Sequence, residues 1–274
     1  MRQFVKWFKK YIVILILLVV LLYTLYFNIE RDYFQDISIS NKKEIKEFAD
    51  TIPIVVICWN SLTFIKGFLN QLKKYNNPIL ILDNNSTYQP LLEYYKEIKE
   101  ELKDKITIRL LDQNYGHTVY IKLKEELPPI YILSDPDLEL NPNMPMNFAE
   151  ILLTISNMYK AHKVGAAIKV EEDGIFIKCD DYFHGKSIQD WESQFWRNKI
   201  ENSSYELYNA DVDTTFCLVN NTYTGNNIRI AGDFTAKHLP WYKDYIINTV
   251  SQEELNFLNK NNISSTFFKT CLKV

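Results

Sequence analysis

Two carboxylates placed two residues apart, Asp135 and Asp137, end the apolar run in "PPIYILSDPDLELNP", residues 128–142. In extended or turn backbone such residues project to the same side, and Pro136 fixes the φ between them. Both can then meet one hard divalent cation, without which one of two like charges held so close would have to keep its proton. An EF-hand calcium loop is excluded, because its sixth position needs Gly and its twelfth Glu, where this chain has Leu140 and Met146. Asp83, in "LILDNNS", also ends an apolar run of strand length. A solvated turn competes with a binding role there on even terms.

These carboxylates need elements to aim them. After a polar tether to about residue 50, "IPIVVIC" (52–58), "PILILD" (78–83), "ITIRLL" (106–111), "IYILS" (130–134) and "VGAAIKV" (164–170) read as strands. Between them lie helix-period segments: "SLTFIKGFLNQLKKY" (61–75), with Leu62, Ile65, Leu69 and Leu72 on one face, then "QPLLEYYKEIKEELK" and "NFAEILLTISNMYKA". Strands apolar on both faces, alternating with helices, predict a mostly parallel, doubly wound α/β sheet. Ligands of such sheets bind at the carboxyl ends of the strands, where Asp83 and Asp135 fall. Beyond residue 171 the alternation fails: "KSIQDWESQFWRNKI" reads as a helix, "DTTFCLV" (213–219) as a strand and residues 256–262 as a last helix and turn. This half is expected to be a mixed α+β extension packed on the first.

Composition narrows the class. Apolar residues make up 47% and charged residues 24% of 274, ordinary globular values. Four of the 31 basic residues, Arg2, Lys6, Lys9 and Lys10, precede Glu30, so the remainder carries 27 against 34 acidic residues and has no stripe to neutralise a nucleic acid. Residues 11–27, "YIVILILLVVLLYTLYF", carry no charge and suit a bilayer-spanning helix, with Trp7, Tyr23 and Tyr26 at its interfaces. The basic flank predicts a cytosolic tail (1–10), a transmembrane signal anchor (11–28), a stem (29–50) and a non-cytosolic remainder. Cys58, Cys179, Cys217 and Cys271 show no C-x-x-C spacing, so a cysteine metal cluster is excluded; a Cys179–Cys271 bridge is open to a luminal domain. Sequons at Asn84, Asn85, Asn202, Asn220 and Asn262 agree with that placement.

"IPIVVICWNSLTFIKGFL", "ILILDNNST", "NYG" and "ILSDPDLEL" resemble, in order and spacing, the successive motifs of family 2 glycosyltransferases with the GT-A fold, over residues 52–170. The resemblance implies a Rossmann-like, mostly parallel central sheet with helices on both faces: a nucleotide-sugar-binding half (51–170) and a smaller acceptor-binding half (171–274). It implies a nucleotide pocket containing Asn60, Asp83 and Asn114, and a diphosphate held by Asp135 and Asp137 through Mn²⁺ or Mg²⁺. "AGDFTAKHLPWY" resembles a subgroup with a late His, which makes His238 a third metal ligand and tilts the site toward Mn²⁺. The expected partners are a nucleoside diphosphate sugar, UDP-linked by resemblance, and a glycan, protein or lipid acceptor, with the membrane engaged through residues 11–28.

The resemblance departs at the catalytic base, since the usual Glu-Asp pair of the acceptor region has no counterpart. Asp213, Asp211 and Glu192 are the candidates, in falling order. Asp213 opens the expected strand, Asp211 competes with a turn role, and Glu192 sits among Trp191, Phe195 and Trp196, a setting that would raise its pKa. Such a stripe is more often core than sugar platform, and the same holds for Trp241 and Tyr242. A non-catalytic binding relative and, more remotely, a phosphatase with D-x-D after a strand are the competing readings; Glu139 stands where the phosphatase would have Thr or Val.

Overall fold

The computed structural model describes residues 43–172, 174–179, 183–261 and 271. The basic tail, the signal anchor, most of the stem and the Asn262 sequon lie outside them. Among the described residues no helix is long and apolar enough to cross a membrane. Residues 49–274 form one compact unit, and the described residues 43–48 belong to another.

The strands are β1 (Ile54–Cys58), β2 (Ile79–Asp83), β3 (Ile106–Leu110), β4 (Ile130–Ser134), β5 (Leu138–Leu140), β6 (Lys163–Ala166), β7 (Lys199–Ile200), β8 (Leu207–Asn209), β9 (Cys217–Asn220), β10 (Asn227–Ile230) and β11 (Ala236–His238). Nine build one sheet in the order β3-β2-β1-β4-β9-β6-β10-β8-β7. Its first four strands are mutually parallel, and β6 and β10 pair in parallel. β9 runs antiparallel between β4 and β6, and β8 and β7 continue antiparallel beyond β10. Every residue of β1 is buried, as its unbroken apolar run predicts for a central parallel strand.

Close approach fixes one residue at the β6–β9 contact. A Cβ on Gly165 would stand 2.5 Å from Cys217 Cβ and 2.6 Å from Val212 Cγ1, so any side chain there would force the strands apart. Phe216, just before β9, has φ 48°, a left-handed conformation that costs a non-glycine residue roughly 1–2 kcal/mol. Its wholly buried ring packs on Phe68 and Phe148 at 6.2 and 5.2 Å between centroids, which holds the bend in place.

The helix Leu62–Leu72 buries Phe64, Ile65, Phe68, Leu69 and Leu72 but has no local side-chain cap, no acidic first turn and no basic last turn. Distant residues supply both ends. Glu254, from the helix Gln252–Asn261, accepts from Thr63 N–H at 3.0 Å, and Lys105 Nζ donates to the carbonyls of Leu72, Lys73 and Tyr75. An anion at the amino end and a cation at the carboxyl end complement the helix dipole.

The second half departs from expectation in detail. The helix expected over "KSIQDWESQFWRNKI" runs only from Ile188 to Ser193; a 3₁₀ turn, Gln194–Trp196, and β7 take the rest. The strand expected from residue 213 begins at Cys217. Cys179 and Cys271 form a disulfide, while Cys58 and Cys217 are buried free thiols. Two sequons are closed to glycosylation in the folded chain, since the Asn84 and Asn220 side chains are buried and hydrogen-bonded.

Candidate functional site

Because β1, β2 and β4 run the same way, Asn60, Asp83 and Asp135 emerge at one edge of the sheet. β9 runs against β4, with Leu133 opposite Cys217, so the segment leading into β9 reaches that edge too. This register brings "DTTF" to "SDPD". The Asp135 N–H donates to Thr214 O at 2.8 Å, and Thr214 Oγ1 donates to Asp135 Oδ2. The Asp135 carboxyl is pushed well above the usual range, first by burial, then by the Asp137 and Asp213 charges; the Thr214 hydrogen bond and Lys163 oppose the rise. Three acidic side chains thus share one site.

Lys163 is a buried cation whose charge acts on Asp135. Its Nζ donates to Val212 O at 3.1 Å and to the Tyr120 hydroxyl at 3.4 Å. Burial pulls its pKa down, but Cys217, Tyr120 and Asp213 outweigh that, and the net shift is upward. It stays charged and steadies the backbone that carries Asp213 and Thr214.

Asp137 meets His238 through a two-stranded ladder. β5 and β11 pair antiparallel with Leu138 opposite His238, and Leu239 N–H donates to Asp137 O at 2.9 Å. His238 Nε2 then lies 3.5 Å from Asp137 Oδ2, its ring 4.6 Å from that of Trp241. Asp137 Oδ1 is buried and has no hydrogen-bond partner among the described residues. A carboxylate oxygen left so costs several kcal/mol unless a ligand meets it, which fits a bound cation.

Among the described residues no group of three or more His, Cys, Asp or Glu side chains is arranged to hold a metal. Asp135 Oδ2 is engaged by Thr214, leaving Asp137 and His238 as a facing pair with Asp135 beside it.

The nucleotide-side residues build loops. Asn60, at φ 52°, accepts on Oδ1 from Thr87 N–H at 2.8 Å and Tyr88 N–H at 2.9 Å, and its own N–H donates to Ser86 Oγ at 2.8 Å. Ser86 donates in turn to Asp83 from N–H at 2.7 Å and from Oγ at 2.6 Å, and the Tyr95 hydroxyl adds a 2.7 Å bond. Asp83 is 0% exposed; with three donors on its carboxylate it holds the 83–88 turn rather than an open face. Asn114 Oδ1 accepts from Gly116 N–H at 2.8 Å, and Asn84 grips the same loop through Gly116 O and Tyr115 N–H.

The three candidate bases separate. Asp213 and Asp211 are exposed, but only Asp213 acts on the charge of Asp135. Glu192 is 2% exposed and ion-paired with buried Arg229. Burial, resisted by that Arg, raises its pKa to about 7, as the aromatic setting suggested. Trp241 is likewise buried, packed on Phe176 and Phe183. Lys163 and Arg229 carry no motif and were not foreseen, and Thr214, inside "DTTFCLV", was given no role.

No family model and no curated protein matches the chain. Solved structures do. A structure of GalNAc-T7 with UDP, GalNAc and Mn²⁺ is similar at TM-score 0.50 and 11% identity, over 70% of this chain and 44% of that one. The chain therefore shares the GT-A-type α/β fold of that glycosyltransferase. The mannosyltransferase PcManGT from Pyrobaculum calidifontis, in complex with GDP-Man and Mn²⁺, is 13% identical over 62% of this chain and 44% of its own, at TM-score 0.39. TarS from S. aureus is 18% identical over 47% and 24%, at TM-score 0.34. In each case the chain spans less than half the length of the structure it matches.

Proposed function

We propose that the chain is a divalent-metal-dependent, inverting glycosyltransferase that moves a sugar from a nucleoside diphosphate, most simply UDP, to an acceptor hydroxyl. The observation that carries this reading is the unpartnered, buried Asp137 Oδ1 beside His238, at a strand end crowded with carboxylates. Asp137 and His238 would hold Mn²⁺ or Mg²⁺, since such ions take few protein ligands at phosphate sites. The bound ion offsets charge growing on the leaving diphosphate.

The chain's own residues do the remainder. Thr214 fixes one oxygen of Asp135, which orients the other. Asp213 is the proposed general base: it takes the proton of the acceptor hydroxyl as that oxygen bonds the anomeric carbon and the carbon–phosphate oxygen bond breaks. Asn60, Asp83 and Asn114 shape the loops of the nucleotide side. The apolar segment 11–28 would anchor the chain in a membrane, with the transferase unit on the non-cytosolic side.

Thermal unfolding with UDP, with and without Mn²⁺, tests the reading. UDP should raise Tm only with metal, since a ligand at a hundred times its Kd adds about 2.7 kcal/mol. Asp137→Ala should remove that rise. An equal UDP shift in chelator, or sugar transfer that persists in chelator, overturns the metal reading. A binding relative without catalysis would keep the shift and yield no product with any donor; product formation lost in Asp213→Asn would exclude it.

A further inference from the structure

The opposite edge of the sheet holds a second concavity. Asn227 begins β10 opposite Lys163, the first residue of β6, and Asn209 ends antiparallel β8 opposite Ile228. Both therefore lie at the amino ends of the parallel strands, away from Asp135. Between them and the 3₁₀ turn Gln194–Trp196 opens a pocket of about 480 Å³, walled by Gln194, Phe195, Asn198, Asn209, Asp211 and Asn227 among others. That volume lies in the range of small-molecule sites.

Its chemistry is selective. Four walls are side-chain amides; Gln194 already spends its Nε2 on Trp191 O at 2.7 Å, while Asn198, Asn209 and Asn227 each offer a planar donor and acceptor. Neighbouring backbone groups are already paired, Asn209 N–H with Asn198 O at 2.9 Å and Ala210 N–H with Asn227 O at 3.3 Å, so the amide side chains are what the pocket has to offer. Asn227 Oδ1 is buried and has no hydrogen-bond partner among the described residues. A native acceptor left so is ordinarily met by water or by a ligand. Phe195 adds an aromatic surface, stacked by the Arg229 guanidinium at 3.9 Å from its centroid.

Charge excludes the alternatives. Arg197 and Asp211 bring opposite charges to the rim, which gives a phosphate or carboxylate no net attraction, and the polar walls disfavour a lipid or steroid. Adjacent hydroxyls on an apolar ring face match paired amides and an aromatic surface.

We propose that this pocket binds a neutral saccharide, one or two sugar units long, at a site separate from the carboxylate edge. The proposal does not rest on the transferase reading, because it needs neither nucleotide nor metal. If both hold, a glycan gripped at one edge would be presented by the molecule that modifies it at the other.

The test is saturation-transfer NMR on the full chain in a detergent without a sugar headgroup, using lactose, maltose, cellobiose and chitobiose as probes and glucuronic acid as the charged control. At least one neutral disaccharide should give a signal at millimolar concentration, unchanged by chelator or by UDP with Mn²⁺. Asn227→Leu should weaken it about tenfold, the loss of one well-placed hydrogen bond. Should that variant fail to fold, the double variant Asn198→Ala, Asn209→Ala, at exposed positions, should give the same weakening. No signal from any probe, a signal that survives in the folded variants, or one displaced by UDP with Mn²⁺ would overturn the proposal.

Discussion

Glu192 and Asp137 are both acids withdrawn from solvent, and the chain treats them oppositely. Glu192 faces a buried guanidinium that also donates from Nε to Asp211 O at 2.7 Å and stacks on Phe195. Its charge is answered within the fold. Asp137 faces a neutral-capable imidazole at 3.5 Å, other carboxylates and, at Oδ1, nothing. The difference separates an acid whose charge is paired inside the fold from one with an oxygen left unpartnered among the described residues, and aromatic surroundings alone could not have told them apart.

The comparison can be broken most forcefully at Glu192. Glu192→Ala leaves Arg229 charged, buried and unpaired, and should destabilise the fold by about 3–5 kcal/mol in chemical denaturation. Whatever fraction folds should bind UDP with Mn²⁺ as the wild type does. If the variant is instead as stable as wild type and inactive, Glu192 is a functional acid and the contrast collapses. Asp137→Ala should do the reverse: stability unchanged or slightly raised, since a crowded and unsatisfied acid is gone, but metal-dependent transfer down at least a hundredfold, on the order of 3 kcal/mol of barrier. Isothermal titration with Mn²⁺ and UDP beside a denaturation curve reads both halves.

Much of this contrast was written locally in the chain, and part of it was not. Strands β1, β2 and β4 are legible because burial on both faces demands unbroken apolar runs, and Asp83 and Asp135 mark the ends of two of them. The pairing of Asp137 with His238 was legible only through family likeness, since a ladder between residues a hundred positions apart leaves no periodic trace. Strands β7, β8 and β10 have two to four residues, too short for any pattern to announce, and owe their place to pairing with one another and with β6. The ion pair of Glu192 was hidden for the same reason. Its aromatic neighbours are adjacent in sequence, whereas the Arg229 that claims it lies 37 residues away. Asp83 could be seen to end a strand, but not to be closed off by Ser86 and Tyr95.

A finer test lies between the two acids, at Thr214. Thr214→Val keeps the shape and removes the hydroxyl that fixes Asp135 Oδ2. It should lower transfer about tenfold, in line with a hydrogen bond to a charged group worth roughly 1.5 kcal/mol. A Thr214→Ser variant should restore most of the activity, and a Val variant with wild-type rate would show that Asp135 needs no such support.

The smallest effect is one of pH, and its sign follows from Glu192. An acid whose folded pKa is about 7 against an ordinary 4.5 keeps its proton in the folded chain over a range where the unfolded chain has released it. Stability contributed by that group is full below about pH 4.5, falls as pH rises toward 7, and is flat above. Burial raises Glu254 as well, which bends the curve the same way. Tm measured without metal should therefore decline from pH 5 to pH 7, and Glu192→Gln, which cannot titrate, should flatten the decline. An unaltered slope in that variant would assign the proton to Glu254 or Asp135, and Glu192 would then be ionised throughout, a permanent partner of Arg229 rather than one made reluctant by its burial.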